Sequence, residues 1–404
     1  MIHRGSRIDD IEILRAFAVI FTVLGHVKSL FFWGNDSLAV VDRYFGLWTG
    51  VDLFFAISGF VIARDLLHRL DQVGNSESFW RTVFAFWIRR VYRIWPTSWL
   101  WVGVLLVLCI AFSTTHAFGF LSSNIADFAS VVMQVANFHF WHCQVNHLWG
   151  ECGGAAPWWS LSLEEQFYLI LPFAFLIFKR RLKYLMIAAV FAQIFIPRTV
   201  WSFGWIIRTD AICLGVLIAI FSRSQIYALL EPKFLERRFP AAAFVGLMLF
   251  LLAALPSNWD GKINPVPFST GMVAVVSAIF VFAASFDRDY FIRNRVAKSI
   301  LLWIGTRSFG LYLIHGISMF VTIAIWRHVE PTDTIFGGNF TLRFLLTWLA
   351  LMCGLTELNY RFIESPLRLR GRIAAKSMEI GDVAEPRREH RETGPVVPEE
   401  AAST

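Results

Sequence analysis

AFAVIFTVLGHVKSLFFW, residues 16–33, sets the reading of the whole chain. A helix needs about 20 mostly apolar residues to cross the ~30 Å hydrocarbon core of a bilayer, and this run approaches that length. It follows MIHRGSRIDDIEILR (residues 1–15) directly. The apolar region of a secretory signal is about 7–15 residues long and precedes a small-residue cleavage site. This run is longer and lacks such a site, so it reads as a span that stays.

Working outward, further apolar runs fall at 47–63, 95–113, 159–178, 184–197, 206–222, 239–256, 267–286, 300–325 and 342–360, ten in all. The region 118–140 reads as a possible eleventh, re-entrant or interfacial segment. The composition is 56% hydrophobic and only 17% charged, where globular chains average roughly 45–50% and 25%. That excludes a secreted disulfide scaffold, a coiled coil and a disordered regulator. The expected fold is all-α: a polytopic transmembrane helical bundle of about ten spans.

The basic residues orient it. With the N-terminus inside, 29 of the 37 lysines and arginines fall in segments 1–15, 64–93, 179–183, 223–238, 287–298 and 361–404. This is the asymmetry of the positive-inside bias. Both termini are therefore expected to be cytoplasmic, in an integral, multi-pass protein of a bacterial inner membrane. The net charge of +7 belongs to these inner loops, so no nucleic acid partner is expected. Residues 1–370 read as one membrane-embedded domain. Residues 371–404, with low hydrophobicity, mixed charge and prolines, read as a disordered cytoplasmic tail. The five cysteines form no CxxC pair, and no metal site is expected.

Charged groups at membrane depth are costly and mark function by default. In LRAFAVIFTVLGH (14–26), Arg15 and His26 are eleven positions apart. Eleven helical steps place them on nearly one face, about 16.5 Å apart along the axis. A permanent cation at one end suits phosphate, and a neutral imidazole at the other suits a base. The plainer alternative is that Arg15 obeys the charge bias while His26 bonds a neighbouring helix. Asp52, Ser58 and Gly59 interrupt VDLFFAISGFVI (51–62); Ser58 and Gly59 chiefly permit close helix approach. FWIRRVYRIWP (86–96) ends the following loop, with Arg90 and Arg93 on one face, fit for anionic lipid heads or for the phosphates of a soluble cofactor.

In PWWSLSLEEQFYLILP (157–172), Ser160 or Ser162 caps a helix whose first turn carries Glu164 and Glu165. Arg208 and Asp210 stand at the mouth of the sixth run. Tyr312 and His315 share a face of the ninth, and Glu364 and Pro366 mark the last exit.

Together the Arg-x10-His span, DLFFAISGFVI, RRVYRIWP, WSLSLEEQFY, RTDAICLG and SFGLYLIH, in that order, resemble the acyltransferase-3 family of integral-membrane acyltransferases. The resemblance covers about residues 8–370. Relatives often read closer to SYSLYLWH in the ninth span, so Arg307-Ser308-Phe309-Gly310 is a departure. Members O-acetylate cell-envelope polysaccharides, Nod factors and some antibiotics. Relatives that hand the acyl group to a fused esterase-like domain carry it at the C-terminus; this chain resembles the stand-alone, polysaccharide-modifying branch.

The resemblance implies acyl-CoA, most often acetyl-CoA, as donor substrate, with no permanently bound cofactor. Arg15, Arg89, Arg90 and Arg93 then hold its phosphates, and His26 serves as general base or acyl carrier with Glu164 orienting it. Asp52, Ser58, Trp159, Arg208, Asp210, Tyr312 and His315 are read as substrate-binding. The acceptor is expected to be a carbohydrate or lipid-linked glycan hydroxyl, stacked by Trp141, Trp149, Trp158 and Trp159, which serve equally as interfacial anchors. The rival readings are an acceptor that is a lipid or macrolide-type molecule, and a proton-coupled transporter using His26, Glu164 and Asp210. In HFWHCQVNHLWGECGGAAPWW (139–159), Cys143 and Cys152 are expected to be bonded on the oxidising side; a metal site with His142 and His147 is the rival.

Overall fold

The computed structural model describes residues 8–146, 151–257 and 266–380. Among them there is no strand. The helices are α1 (Asp9–His26), α2 (Asp36–Tyr44), α3 (Gly50–Leu70), α4 (Ser76–Ala111), α5 (Leu121–Val132), α6 (Ala136–Trp141), α7 (Trp158–Phe178), α8 (Leu182–Ile194) and α9 (Phe203–Ile206). There follow α10 (Asp210–Phe221), α11 (Gln225–Leu229), α12 (Arg238–Ala254), α13 (Ser269–Ala284), α14 (Arg295–Thr306), α15 (Ser308–Val329), α16 (Thr341–Asn359) and α17 (Ser365–Ile380).

Nine of the ten apolar runs each overlap one main helix and the run 300–325 divides between α14 and α15, yet among the described residues only six helical stretches are long and apolar enough to cross a bilayer, or seven with the bent α2–α3 pair. The difference has a physical source. Residues 239–256 and 267–286 fold as α12 and α13, which are shorter apolar helices, and α7 and α8 adjoin within one stretch, Trp158–Ile194. The region 118–140 folds as α5 and α6, of 12 and 6 residues, too short to span. The multi-pass character stands; a count of ten spans does not follow from helix length.

Three local expectations change. FWIRRVYRIWP lies in no loop: Asn75 caps α4 by accepting from the Ser78 N–H, and the helix then runs unbroken through the arginines and Pro96. No serine caps α7, which begins at Trp158, so Glu164 and Glu165 sit beyond its first turn. The segment after 370 stays helical to Ile380, because Gly371 lets α17 close on α4: a Cβ there would lie 2.5 Å from the Tyr92 Cβ. The rest of the tail, with His147 and Trp149, lies outside the described residues.

Small residues set the centre of the bundle. A Cβ on Gly59 would meet the Ile212 carbonyl oxygen at 2.1 Å, and one on Gly215 would meet that of Ala56 at 2.2 Å. Thus α3 and α10 cross backbone to backbone, as small-residue pairs allow in membranes. The outer surface is apolar, with Ile177, Phe191, Phe239 and Phe362 exposed. In water such a belt would be an aggregation surface; here it is what lipid tails cover.

Candidate active site

Polar groups concentrate inside the bundle, where lipid cannot satisfy them. A cavity enclosing about 720 Å³ of empty space, its open mouth included, is walled by α1, α3, α4, α7 and α15. Arg15, Arg90 and Arg93 line it, with Ser58, Ser160, Glu164, Tyr168, Ser308 and Tyr312 among its other polar groups. Arg15 is steadied by Glu12 at 2.9 Å. Arg90 lies over the Phe86 and Tyr168 rings at 5.6 and 5.8 Å, and its buried Nε has no hydrogen-bond partner. Three guanidinium groups converging on one space need a ligand of opposite charge.

Arg89 points elsewhere. It donates to Glu379 of α17 at 2.8 Å, and Arg69 donates to the same carboxylate at 3.0 Å. The expected four-arginine set is therefore three around the cavity and one tied to α17. Beside them Glu364, buried in a π-turn (Tyr360–Glu364), accepts from Arg368 at 3.2 Å.

Glu164 is held by two hydroxyls: Ser58 donates at 3.0 Å and Tyr168 at 2.7 Å. It makes no hydrogen bond to His26. The sequence reading missed Tyr168, although it stands four residues after Glu164, the spacing that brings two side chains onto one helix face. Ser58 thus has a polar partner besides permitting close approach. Tyr312 joins the same wall, sharing a hydrogen bond with Ser160 (2.8 Å) and donating to the Pro157 carbonyl (2.9 Å).

His26 is the last residue of α1 and is exposed. Its Nδ1 lies 2.8 Å from the Thr22 carbonyl. A carbonyl oxygen only accepts, so Nδ1 carries the proton and Nε2 keeps a lone pair, the arrangement a general base needs. The orienting role assigned to Glu164 is thus filled by backbone. The His315 ring, buried on α15, is centred 5.0 Å from that of His26. No short contact joins His26 to Arg15; Arg15 lies about two turns into α1 and His26 ends it, eleven residues on, as their spacing required.

The other expected substrate residues are engaged with one another. Arg208 makes two hydrogen bonds to Asp52, at 2.8 and 3.0 Å, with both side chains fully buried. Trp205 and Trp159 cover the guanidinium at 4.0 and 4.7 Å. Asp210 pairs with Arg198. Trp158, also buried, donates to Ser98 at 2.9 Å. Arg307 pairs with Glu357. Cys143 and Cys152 are bonded, with Cα atoms 5.3 Å apart.

The bundle thus sets three arginines around one cavity and an imidazole eleven residues along α1 from the first of them. The acyltransferase domain family matches residues 8–356. The chain belongs to the acyltransferase-3 family. OatA of Listeria monocytogenes, a peptidoglycan O-acetyltransferase, is 26% identical over 383 residues, covering 90% of this chain and 56% of that protein. YrhL of Bacillus subtilis, whose name assigns it the same activity provisionally, is 26% identical over 387 residues, covering 90% and 55%. This acyltransferase domain spans a little over half the length of those relatives. No solved structure matches it.

Proposed function

We propose that this chain moves an acyl group, acetyl in the simplest case, from cytoplasmic acyl-CoA to a hydroxyl of a cell-envelope or exported carbohydrate. One observation carries the reading: Arg15, two turns into α1, lines a common cavity with Arg90 and Arg93, and His26 ends the same helix about 16.5 Å away along its axis. The donor's phosphates sit at the arginines. Its pantetheine arm runs past Ser58, Glu164 and Tyr312 toward the imidazole. His26 Nε2 takes the acceptor's hydroxyl proton as the oxygen attacks the thioester carbon; the C–S bond then breaks, the electron pair leaves on sulfur, and the imidazolium returns the proton to the departing CoA thiolate. The Asp52–Arg208 and Asp210–Arg198 pairs shape the wall behind this path.

The carbohydrate acceptor draws on the family and on the peptidoglycan activity in the relative's name. The second reading keeps the donor and takes a lipid or macrolide-type acceptor, which the exposed position of His26 admits equally. The test is radiolabelled acetyl-CoA with purified full-length protein and a panel of envelope glycans, lipids and macrolides. Label on a glycan, dependent on His26, is the expected result. Label only on a lipid or macrolide moves the reading to the alternative. No label anywhere, with no release of CoA thiol, overturns it.

A further inference from the structure

Soon after His26 the chain enters three consecutive aromatic residues, Phe31, Phe32 and Trp33. Two helices show where they lie. Arg15 and Ser308 line the donor cavity together, and the rings of His26 and His315 are centred 5.0 Å apart. Helices α1 and α15 therefore run the same way. From His315 to Arg327, α15 continues past the imidazole by about 18 Å. The Arg327 guanidinium lies over the Phe32 ring, 4.4 Å from its centre. Phe32 thus stands beyond His26, on the side away from the donor cavity.

This ring belongs to a larger aromatic cluster. Trp33 meets Phe344 edge-on at 4.9 Å, and Phe32 meets Phe336 at 5.4 Å. Phe344 and Trp326 stack at 6.0 Å. Yet Phe32 keeps 41% of its surface open. Lipid tails are a poor cover for it, because charges flank the cluster. Lys28 pairs with Asp42 at 2.6 Å and Arg343 with Glu330 at 3.4 Å, both cations more than half exposed, and Arg343 lies over Trp326. Exposed charges avoid hydrocarbon. Arg327 itself makes no hydrogen bond or ion pair among the described residues, so its N–H donors are unspent.

The inference rests on the proposed transfer to a carbohydrate. A pyranose ring presents a face of C–H groups, which packs on an aromatic ring, and an edge of hydroxyls, which accept from a planar donor. An exposed phenyl ring beside a guanidinium offers both partners. Of the tryptophans expected to stack the acceptor, Trp158 and Trp159 are instead buried, against Ser98 and Arg208. We propose that Phe32, Trp33 and Arg327 form a distal glycan subsite for the acceptor. One sugar ring rests on Phe32 with its hydroxyls on Arg327, and the reacting hydroxyl, further along the same oligosaccharide, reaches His26. The subsite selects for chain length: a monosaccharide at His26 leaves it empty, and a longer acceptor fills both.

The experiment uses the full chain in nanodiscs with radiolabelled acetyl-CoA and two acceptor probes, N-acetylglucosamine and its β-1,4-linked hexamer. It reads the ratio of kcat/KM for hexamer to that for monomer, from which any unfolded fraction cancels. Wild type is expected to favour the hexamer through a lower KM. Phe32→Leu and Arg327→Gln are each expected to lower the ratio about three- to tenfold. Phe32→Tyr, which retains an aromatic face, is expected to keep it. A wild type indifferent to chain length overturns the subsite, as does a wild-type ratio in either Phe32→Leu or Arg327→Gln. A ratio lost in Phe32→Tyr as well assigns the ring to packing and overturns the stacking. Label on neither sugar, with CoA thiol still released, overturns the subsite and leaves acyl-CoA cleavage standing. Neither label nor thiol overturns the transfer reading and the subsite with it.

Discussion

Arg89, Arg90 and Arg93 stand within one stretch of α4 yet meet different partners. Arg90 and Arg93 line the cavity, while Arg89 is spent on Glu379. Losing one charge-assisted hydrogen bond costs about 1.5–3 kcal/mol, roughly 10–100-fold in affinity. Arg90→Ala or Arg15→Ala should therefore raise the CoA dissociation constant by that factor, measured by calorimetry, whereas Arg89→Ala should leave it within about threefold. Unchanged affinity in both Arg15 and Arg90 variants would move those cations to lipid anchoring. His26→Ala should lower turnover about 10²–10⁴-fold without shifting the thermal midpoint, since the ring bonds only the Thr22 carbonyl of its own helix. Asp52 and Arg208 behave oppositely. Removing one partner of a buried pair strands the other charge, at about 3–5 kcal/mol. Arg208→Met alone should lower the melting point sharply, and Asp52→Leu added to it should recover part of the loss; a fall in donor affinity with stability intact would instead make the pair a substrate contact. The placement of Arg15 and His26, the two ends of the proposed site, was legible because both belong to one helix, and helical period relates them without tertiary knowledge. Pairings across helices, such as Ser58–Glu164 or Arg198–Asp210, depend on crossings that no single segment encodes.

At the scale of helices, apolar run length located the elements well and classified them poorly. A run records where lipid or core is met but not whether the helix crosses, as α12 and α13 show. Two helical extensions were also hidden: the first half of α4 and the basic start of α17 look like loop and tail by hydropathy, yet they form one packed pair. Their contact is visible in sequence only as Gly371, a lone small residue in a basic stretch. The α3–α10 crossing is the more demanding case. Gly59 and Gly215 each place backbone where a methyl group would overlap a carbonyl oxygen. Overpacking a tight contact costs typically about 1–3 kcal/mol. Gly59→Ala is thus expected to lower the thermal midpoint of the detergent-solubilised chain, and Gly215→Ala likewise. Because Ser58 sits beside Gly59, the same change should displace the Ser58–Glu164 bond and lower turnover. A Gly59→Ala variant as stable as wild type would mean that α3 and α10 are not in backbone contact.

For the molecule as a whole, two unrelated features orient the chain in the membrane. In the proposed orientation the basic segments share a side with Arg15, while the Cys143–Cys152 bond lies in the loop between α6 and α7. Disulfides persist where the compartment is oxidising, and positive loops stay inside; on these two rules we propose that Arg15 faces the cytoplasm and the bonded loop the outside. In the proposed transfer the donor, made in the cytoplasm, meets the arginines first, and an exported acceptor meets His26. Closing so short a loop should stabilise the fold by roughly 2–3 kcal/mol in the chain-entropy model. The orientation is testable on intact cells. A membrane-impermeant maleimide should leave Cys143 and Cys152 unlabelled until an impermeant reductant is added from outside, then label both. A cysteine placed at Arg180, in the basic turn between α7 and α8, should stay unlabelled until the membrane is opened. The reverse pattern would invert the molecule and move the donor site to the wrong side for cytoplasmic acyl-CoA. Labelling of Cys143 and Cys152 without any reductant would leave the orientation standing and remove the bond. Acyl transfer after mild external reduction should fall only modestly, because the bond restrains the loop and no catalytic group is attached to it.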